Sequence, residues 1–116
     1  MPTYLALIYR PEAESPAPTT PEWRRLMQAY GTFIEEARKS GVFKDGNPLQ
    51  PIATATTVRI RDGKTLMIDG PFAETKEQLG GYCLLECGDL DEALYWAARI
   101  PDAANGSIEV RPVREV

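Results

Sequence analysis

The chain has 116 residues, 43% of them hydrophobic, with a net charge of −4 and no histidine. That length suits one domain with one core and would starve two. A mildly acidic balance offers no broad cationic surface for tracking a phosphate backbone, so nucleic acid is not an expected partner. The start, Met1-Pro2-Thr3 and then strand-like sequence, lacks the basic segment and small-residue cleavage site of a secretory leader. No apolar run reaches the ~20 residues that span a bilayer, and a cytoplasmic location away from membranes is expected.

In chain order, Tyr4-Leu5-Ala6-Leu7-Ile8-Tyr9 is a short apolar run between Pro2 and Pro11. It predicts a buried strand that is apolar on both faces. Pro16 and Pro18 among Ser and Thr make an exposed loop. A helix follows: Thr19 or Thr20 serves as N-cap, Pro21 fits the first turn, where its missing N–H has no partner anyway, and Glu22 complements the positive end of the dipole. Trp23, Leu26, Met27, Tyr30, Phe33, Ile34 and Ala37 recur at three- and four-residue steps and stack on one packing side. Arg24 and Arg25 fall on the solvated side, and Gly41 ends the helix.

The stretch through Gly46, Pro48 and Pro51 reads as a connection. Thr56, Val58 and Ile60 then alternate with Thr57, Arg59 and Arg61, and Asp62-Gly63 separates that run from Lys64-Thr65-Leu66-Met67-Ile68. An Asp-Gly pair between two such runs signals a type I′ hairpin, which needs positive φ at both central positions. Tyr82 to Cys87 is a further strand, and Asp89-Leu90-Asp91-Glu92 is a capping box that opens a helix running to about Ile100. Asn105-Gly106 turns the chain into a last strand, Ser107 to Val113. On the second helix Trp96 is placed alongside Glu92 and Arg99, away from Leu94 and Ala97, as an exposed residue or a partner contact.

The order strand, helix, two hairpin strands, strand, helix, strand predicts an α+β fold of the ferredoxin-like kind, an antiparallel sheet with two helices on one face. Leu5, Leu7 and Tyr9 lie on one side of the first strand and Tyr4, Ala6 and Ile8 on the other, while Tyr82 and Leu84 oppose Cys83 and Leu85. One layer of helices cannot cover both sides, so a homodimer packed sheet to sheet is expected. Cys83 and Cys87, if extended, lie ~13 Å apart, beyond the ~7 Å limit for a disulfide. Two thiols without histidine make no zinc site, so they read as buried free thiols, and no metal or cofactor is expected.

Asp69-Gly70-Pro71-Phe72 follows the second hairpin strand, with Glu74, Lys76, Glu77 and Gly80-Gly81 behind it. Two readings stay open. In one, Asp69 caps a tight turn, Phe72 plugs the edge of the core and the charged residues are solvated. In the other, Asp69, an arginine of the neighbouring strand (Arg59 or Arg61) and a tyrosine (Tyr9 or Tyr82) line a small polar pocket, with Glu74 and Lys76 as further ligand contacts. Asp69 would there be general base or orienter, and an arginine would hold an anionic group bidentately. Such a charge set suits a small acidic or carbonyl metabolite.

The string "DGPFAETKEQLGGY", with "ATATTVRIRDG" upstream and "GSIEVRPV" downstream, resembles the YCII-related family, specifically its DGPF-motif branch, from Tyr4 to Val113. The resemblance implies a dimeric α/β barrel of ferredoxin-like subunits. Members of this branch are met beside, or fused to, sigma factors of the extracytoplasmic-function type, which implies a regulatory accessory role in a sigma-factor system. Relatives in the wider superfamily use a His/Asp pair between sheet and helices, and this chain has no histidine to supply it. The leading expectation is a ligand-binding or regulatory module. The alternative is a small-molecule enzyme of isomerase or lyase type, with Asp69 acting in a sheet–helix pocket.

Overall fold

The apolar run near the N-terminus becomes strand β1 (Thr3–Arg10), which alternates as a central strand must: Tyr4, Ala6 and Ile8 are buried, and Leu5, Leu7 and Tyr9 lie half-buried on the opposite side. The computed structural model describes residues 1–115. Helix α1 (Pro21–Lys39) begins where the sequence places it, with the Thr20 hydroxyl accepting the Trp23 N–H at 3.2 Å. Strand β2 (Phe43–Pro48), strands β3 (Thr56–Arg61) and β4 (Lys64–Asp69), strand β5 (Gln78–Glu86), helix α2 (Leu90–Ala97) and strand β6 (Ser107–Pro112) follow. Asp89 caps α2 by accepting the Glu92 N–H at 2.9 Å, and the Glu92 carboxylate reaches back to the Gly88 N–H at 2.7 Å.

Four strands form one antiparallel sheet in the order β2-β5-β1-β6, and β3 and β4 form a second sheet of their own. The ferredoxin-like strand order is therefore present, but its second strand is β2 and not the hairpin. Sequence reading makes Phe43–Pro48 a connection because Lys44, Asp45, Gly46 and Pro48 have poor strand propensity. An edge strand pairs on one side only, so it tolerates such residues, and Lys44 meets Glu86 across the pair at 3.4 Å.

The hairpin has the expected type I′ turn, with φ of 52° at Asp62 and 73° at Gly63. Its strands pack chiefly on each other, every residue of β4 is exposed, and the molecule is a slab of 48 × 43 × 19 Å from which the hairpin projects as an arm. The arm is tied at its root. Ile52 N–H donates to the Glu12 carboxylate at 3.0 Å, and Gly70 N–H donates to the Ala55 carbonyl at 2.7 Å.

Both helices cover the same face of the main sheet, around Ala6, Leu85, Phe33 and Ala37. Helix α2 has a different inward face from the one expected. Ala93, Trp96 and Ala97 are buried, with the Trp96 ring edge-on to Phe33 at a centroid separation of 6.3 Å, while Leu90, Leu94 and Tyr95 are exposed. Six of the helix's eight residues are apolar, so periodicity marks no single stripe. The alanines decide it, because they let the helix approach the sheet closely enough for one large ring to fill the remaining space.

Cys83 and Cys87 are free and buried. Burial pushes each thiol up to about 11, and at Cys87 the Glu92 and Asp89 carboxylates add to it. Neither thiol should react with iodoacetamide at neutral pH in the folded protein, and both should react in denaturant. Because the folded values lie above the ordinary 9.0, the stability linked to these thiols is complete below that pH and is lost as pH climbs toward the folded value. The thermal midpoint should fall across that window, less steeply in Cys83→Ala. For helix phase, urea titrations should show Trp96→Ala losing about 3–5 kcal/mol and Leu94→Ser changing stability by no more than about 0.5 kcal/mol.

Candidate functional site

Strand β1 ends in its one charged residue, Arg10. Its guanidinium reaches the short helical turn Pro101–Ala103, where Asp102 is 4% exposed and is the only charged residue in the buried set among the described residues. Arg10 Nη1 lies 2.7 Å from Asp102 Oδ1, and the Tyr30 hydroxyl donates to Asp102 Oδ2 at 2.5 Å. Residues far apart in sequence thus meet around one carboxylate. The meeting depends on a close approach at the start of β6. A Cβ on Gly106 would sit 1.9 Å from the Tyr9 carbonyl oxygen, and Gly106 N–H donates to the Asp102 carbonyl at 2.7 Å. A side chain there would push β6 away from β1 and carry the Asp102 turn off Arg10.

A buried carboxylate without partners would be costly, and this one has a cation on one oxygen and a phenol on the other. Burial first, and then the bond to Asp102 and its negative charge, push the Tyr30 phenol above its ordinary range, so it remains a protonated donor. The ion pair is close but not aligned as a hydrogen bond: Arg10 Nε and Asp102 Oδ1 each lack a hydrogen-bonding partner.

Arg10 also lines an open cleft of about 550 Å³ between the end of β1, the first turns of α1 and the turn at Pro101. Leu26 and Pro16 form its apolar wall, and Arg25, Glu14, Glu22 and Asn105 supply polar groups of both signs. Arg25 and Glu22 stand 3.7 Å apart and are both well exposed, so that pair adds little to stability.

The residues expected to form a pocket near Asp69 are not brought together within one chain. Asp69 is exposed at the end of β4, directly opposite Thr56. Cross-strand partners share a face, so Asp69 projects with Thr56, Val58, Ile60 and Met67, while Arg59 and Arg61 project from the other face with Leu66 and Ile68. Arg61 Nη1 donates to the Ile60 carbonyl at 3.0 Å. Tyr9 and Tyr82 lie on the main sheet, on the side away from the helices, where the Tyr82 hydroxyl accepts from Asn47 Nδ2 at 3.0 Å. Glu74 and Lys76 are exposed in the loop that follows. Within the single chain Asp69 lies on the projecting arm, on the face opposite Arg59 and Arg61. The segment is a tight turn, fixed by the Thr57 hydroxyl donating to the Gly70 carbonyl at 2.8 Å, but Phe72 is 77% exposed and plugs no core edge.

Sequence reading places Tyr30 in the packing stripe and assigns nothing to Arg10 or Asp102. The available signal was a lone arginine closing an apolar strand; its partner, in a Pro-Asp turn 92 positions later, shows only once β6 is paired with β1. Among the described residues no cluster of three or more His, Cys, Asp or Glu side chains could hold a metal ion, and no helix is long and apolar enough to cross a membrane.

The YCII-related domain matches residues 1–116, the whole length of the sequence. The chain belongs to the YCII-related family. Within its range of sequences, the chain is 38% identical over 112 residues to an uncharacterized protein of Rhizobium meliloti (strain 1021), an alignment covering 95% of this chain and 90% of that one. In this YCII-related protein the buried triad makes its own demands on stability. Asp102→Ala, which removes the counter-charge of the partly buried Arg10 and the acceptor of Tyr30, should cost about 2–4 kcal/mol. Tyr30→Phe, which strands one carboxylate oxygen, should cost about 1–3 kcal/mol. Urea unfolding measures both, and equal, negligible losses would show that the triad is not a buried network.

Proposed function

We propose that this YCII-related protein, of the DGPF-motif branch, is a homodimeric ligand-binding module whose cleft beside Arg10 receives a small acidic or carbonyl compound. The observation that carries the reading is the guanidinium of Arg10, held at the cleft wall by a carboxylate that is itself buried. A guanidinium fixed in this way keeps its fork of donors in place, so a ligand oxygen meets them with little further loss of side-chain freedom. Arg25 offers a second cation, and Glu14 and Glu22 suit a ligand that also carries a hydrogen-bond donor.

The branch assignment is supported by the unbroken run Asp69-Gly70-Pro71-Phe72. Dimerisation is supported by the second face of the main sheet. Leu5, Leu7, Leu84 and Tyr82 stand there half-buried while both helices lie on the other side. Two copies packed through that face, as in a dimeric α/β barrel, would withdraw it from water at ~25 cal/mol per Å². Asp69 lies outside the cleft, so this function needs no catalytic role for it.

The test is a thermal-shift screen of small carboxylic acids and carbonyl compounds. A ligand at ~100 times its Kd adds about 2.7 kcal/mol and raises Tm by several degrees. The shift should survive in Asp69→Asn and be lost in Arg25→Ala and weakened in Arg10→Lys, which keeps the charge without the fork. A shift lost in Asp69→Asn and kept in both arginine variants would move the site from the cleft to the arm.

A further inference from the structure

The β3–β4 arm is the least self-sufficient part of the molecule. A lone two-stranded hairpin is marginal in water at best, and this one exposes an apolar face: Val58 is 60%, Ile60 65% and Met67 74% exposed. The register puts Val58 directly opposite Met67, with Ile60 next along the same face. Phe72, beyond the arm's root, is as open as Met67.

The dimensions of the whole chain say how much cover is missing. A compact chain of this length has a radius of gyration of about 13.4 Å, and this one has 16.0 Å. A monomer of 12.9 kDa exposes about 6,300 Å². This chain exposes 8194 Å², an excess of roughly 1,900 Å². The ~800 Å² that each partner commits to a standard interface falls well within that excess, which lies in the range of permanent dimers.

The docking face is nearly uncharged: of the charged residues on the two strands only Asp69 shares it, and Arg59, Arg61 and Lys64 project from the opposite face. In a twofold dimer each arm can lie on the other copy, which makes the contact isologous and closed, with no open edge to propagate.

We infer that the β3–β4 arm is a dimer clamp: each copy lays the Val58, Ile60 and Met67 face of its arm, with Phe72, against a second copy of the same chain. The inference rests on the dimer proposed above and adds the element that fastens it. It also explains why a DGPF turn with an exposed phenylalanine is anchored so firmly to the root of the arm. The turn closes the base of the hairpin, through Gly70 N–H to the Ala55 carbonyl and the Thr57 hydroxyl to the Gly70 carbonyl.

Sedimentation equilibrium of the 116-residue chain and of its I60D/M67D variant tests this. The wild type should be a dimer at micromolar concentration, and the double substitution should raise the dissociation constant about 100-fold or more, with helical circular dichroism unchanged. A dimer equally tight in the variant overturns the clamp and leaves the sheet-packed dimer standing. A wild type that stays monomeric overturns both, while the ligand reading is judged separately by the thermal shifts. If the double variant does not fold, Met67→Cys decides. The native thiols are buried, so alkylation reports the new position, and it should slow several-fold as concentration brings the chain into the dimer. A rate independent of concentration while sedimentation shows a dimer overturns the clamp.

Discussion

A single buried carboxylate organises the structure around the cleft. Asp102 has no solvent to stabilise its charge, so the chain must supply a cation and a donor, and it brings them from β1 and α1. That requirement reaches well beyond three side chains. It fixes where α1 lies along the sheet, since Tyr30 must reach the Pro101–Ala103 turn, and it fixes the approach of β6, since Gly106 must pass against the Tyr9 carbonyl. The helix above the sheet and the strand at its edge are thereby placed by the same charge that holds Arg10 at the cleft.

A second constraint acts on the other side of the sheet. Two helices can cover one face of four strands, and β1 and β5 are apolar on both. The projecting hairpin repeats the imbalance on a smaller scale, with Val58, Ile60 and Met67 open to water. The chain as a whole exposes more surface than its mass warrants. The proposed dimer would cover both the sheet face and the arm, whereas the cleft proposed for a ligand is lined by other residues, from Arg10 to Leu26 and at Pro101 and Asn105.

How far the sequence revealed this differs from element to element. The hairpin was legible because Asp62-Gly63 encodes a backbone conformation that few other pairs reach. The caps at Thr20 and Asp89 were legible because a short polar side chain before an apolar helix has one productive use. Strand β2 was hidden, since its pairing with β5 is a tertiary gain that its own residues do not advertise. The phase of α2 was hidden because six apolar residues in eight leave no polar face to read against. The Arg10–Tyr30–Asp102 cluster was hidden for a different reason: a buried network is recognised by the proximity of its members, and proximity across 92 positions exists only after folding.

The chemistry of that cluster bears on what the cleft is for. A proton-transfer catalyst works best through a group that populates both protonation states near its working pH, and histidine, the side chain best placed for that, is absent from the chain. Arginine is charged throughout the physiological range, and the Tyr30 phenol is held protonated by burial and by the carboxylate beside it. Asp102 Oδ2 accepts the Tyr30 hydroxyl, and Oδ1 stands in ion-pair contact with Arg10 without an aligned hydrogen bond. A triad with its protons fixed in place is poorly suited to shuttling them and well suited to presenting an unchanging pattern of donors to a ligand oxygen. This is the physical basis of the recognition role proposed for the cleft, in which the buried carboxylate is the support beside Arg10.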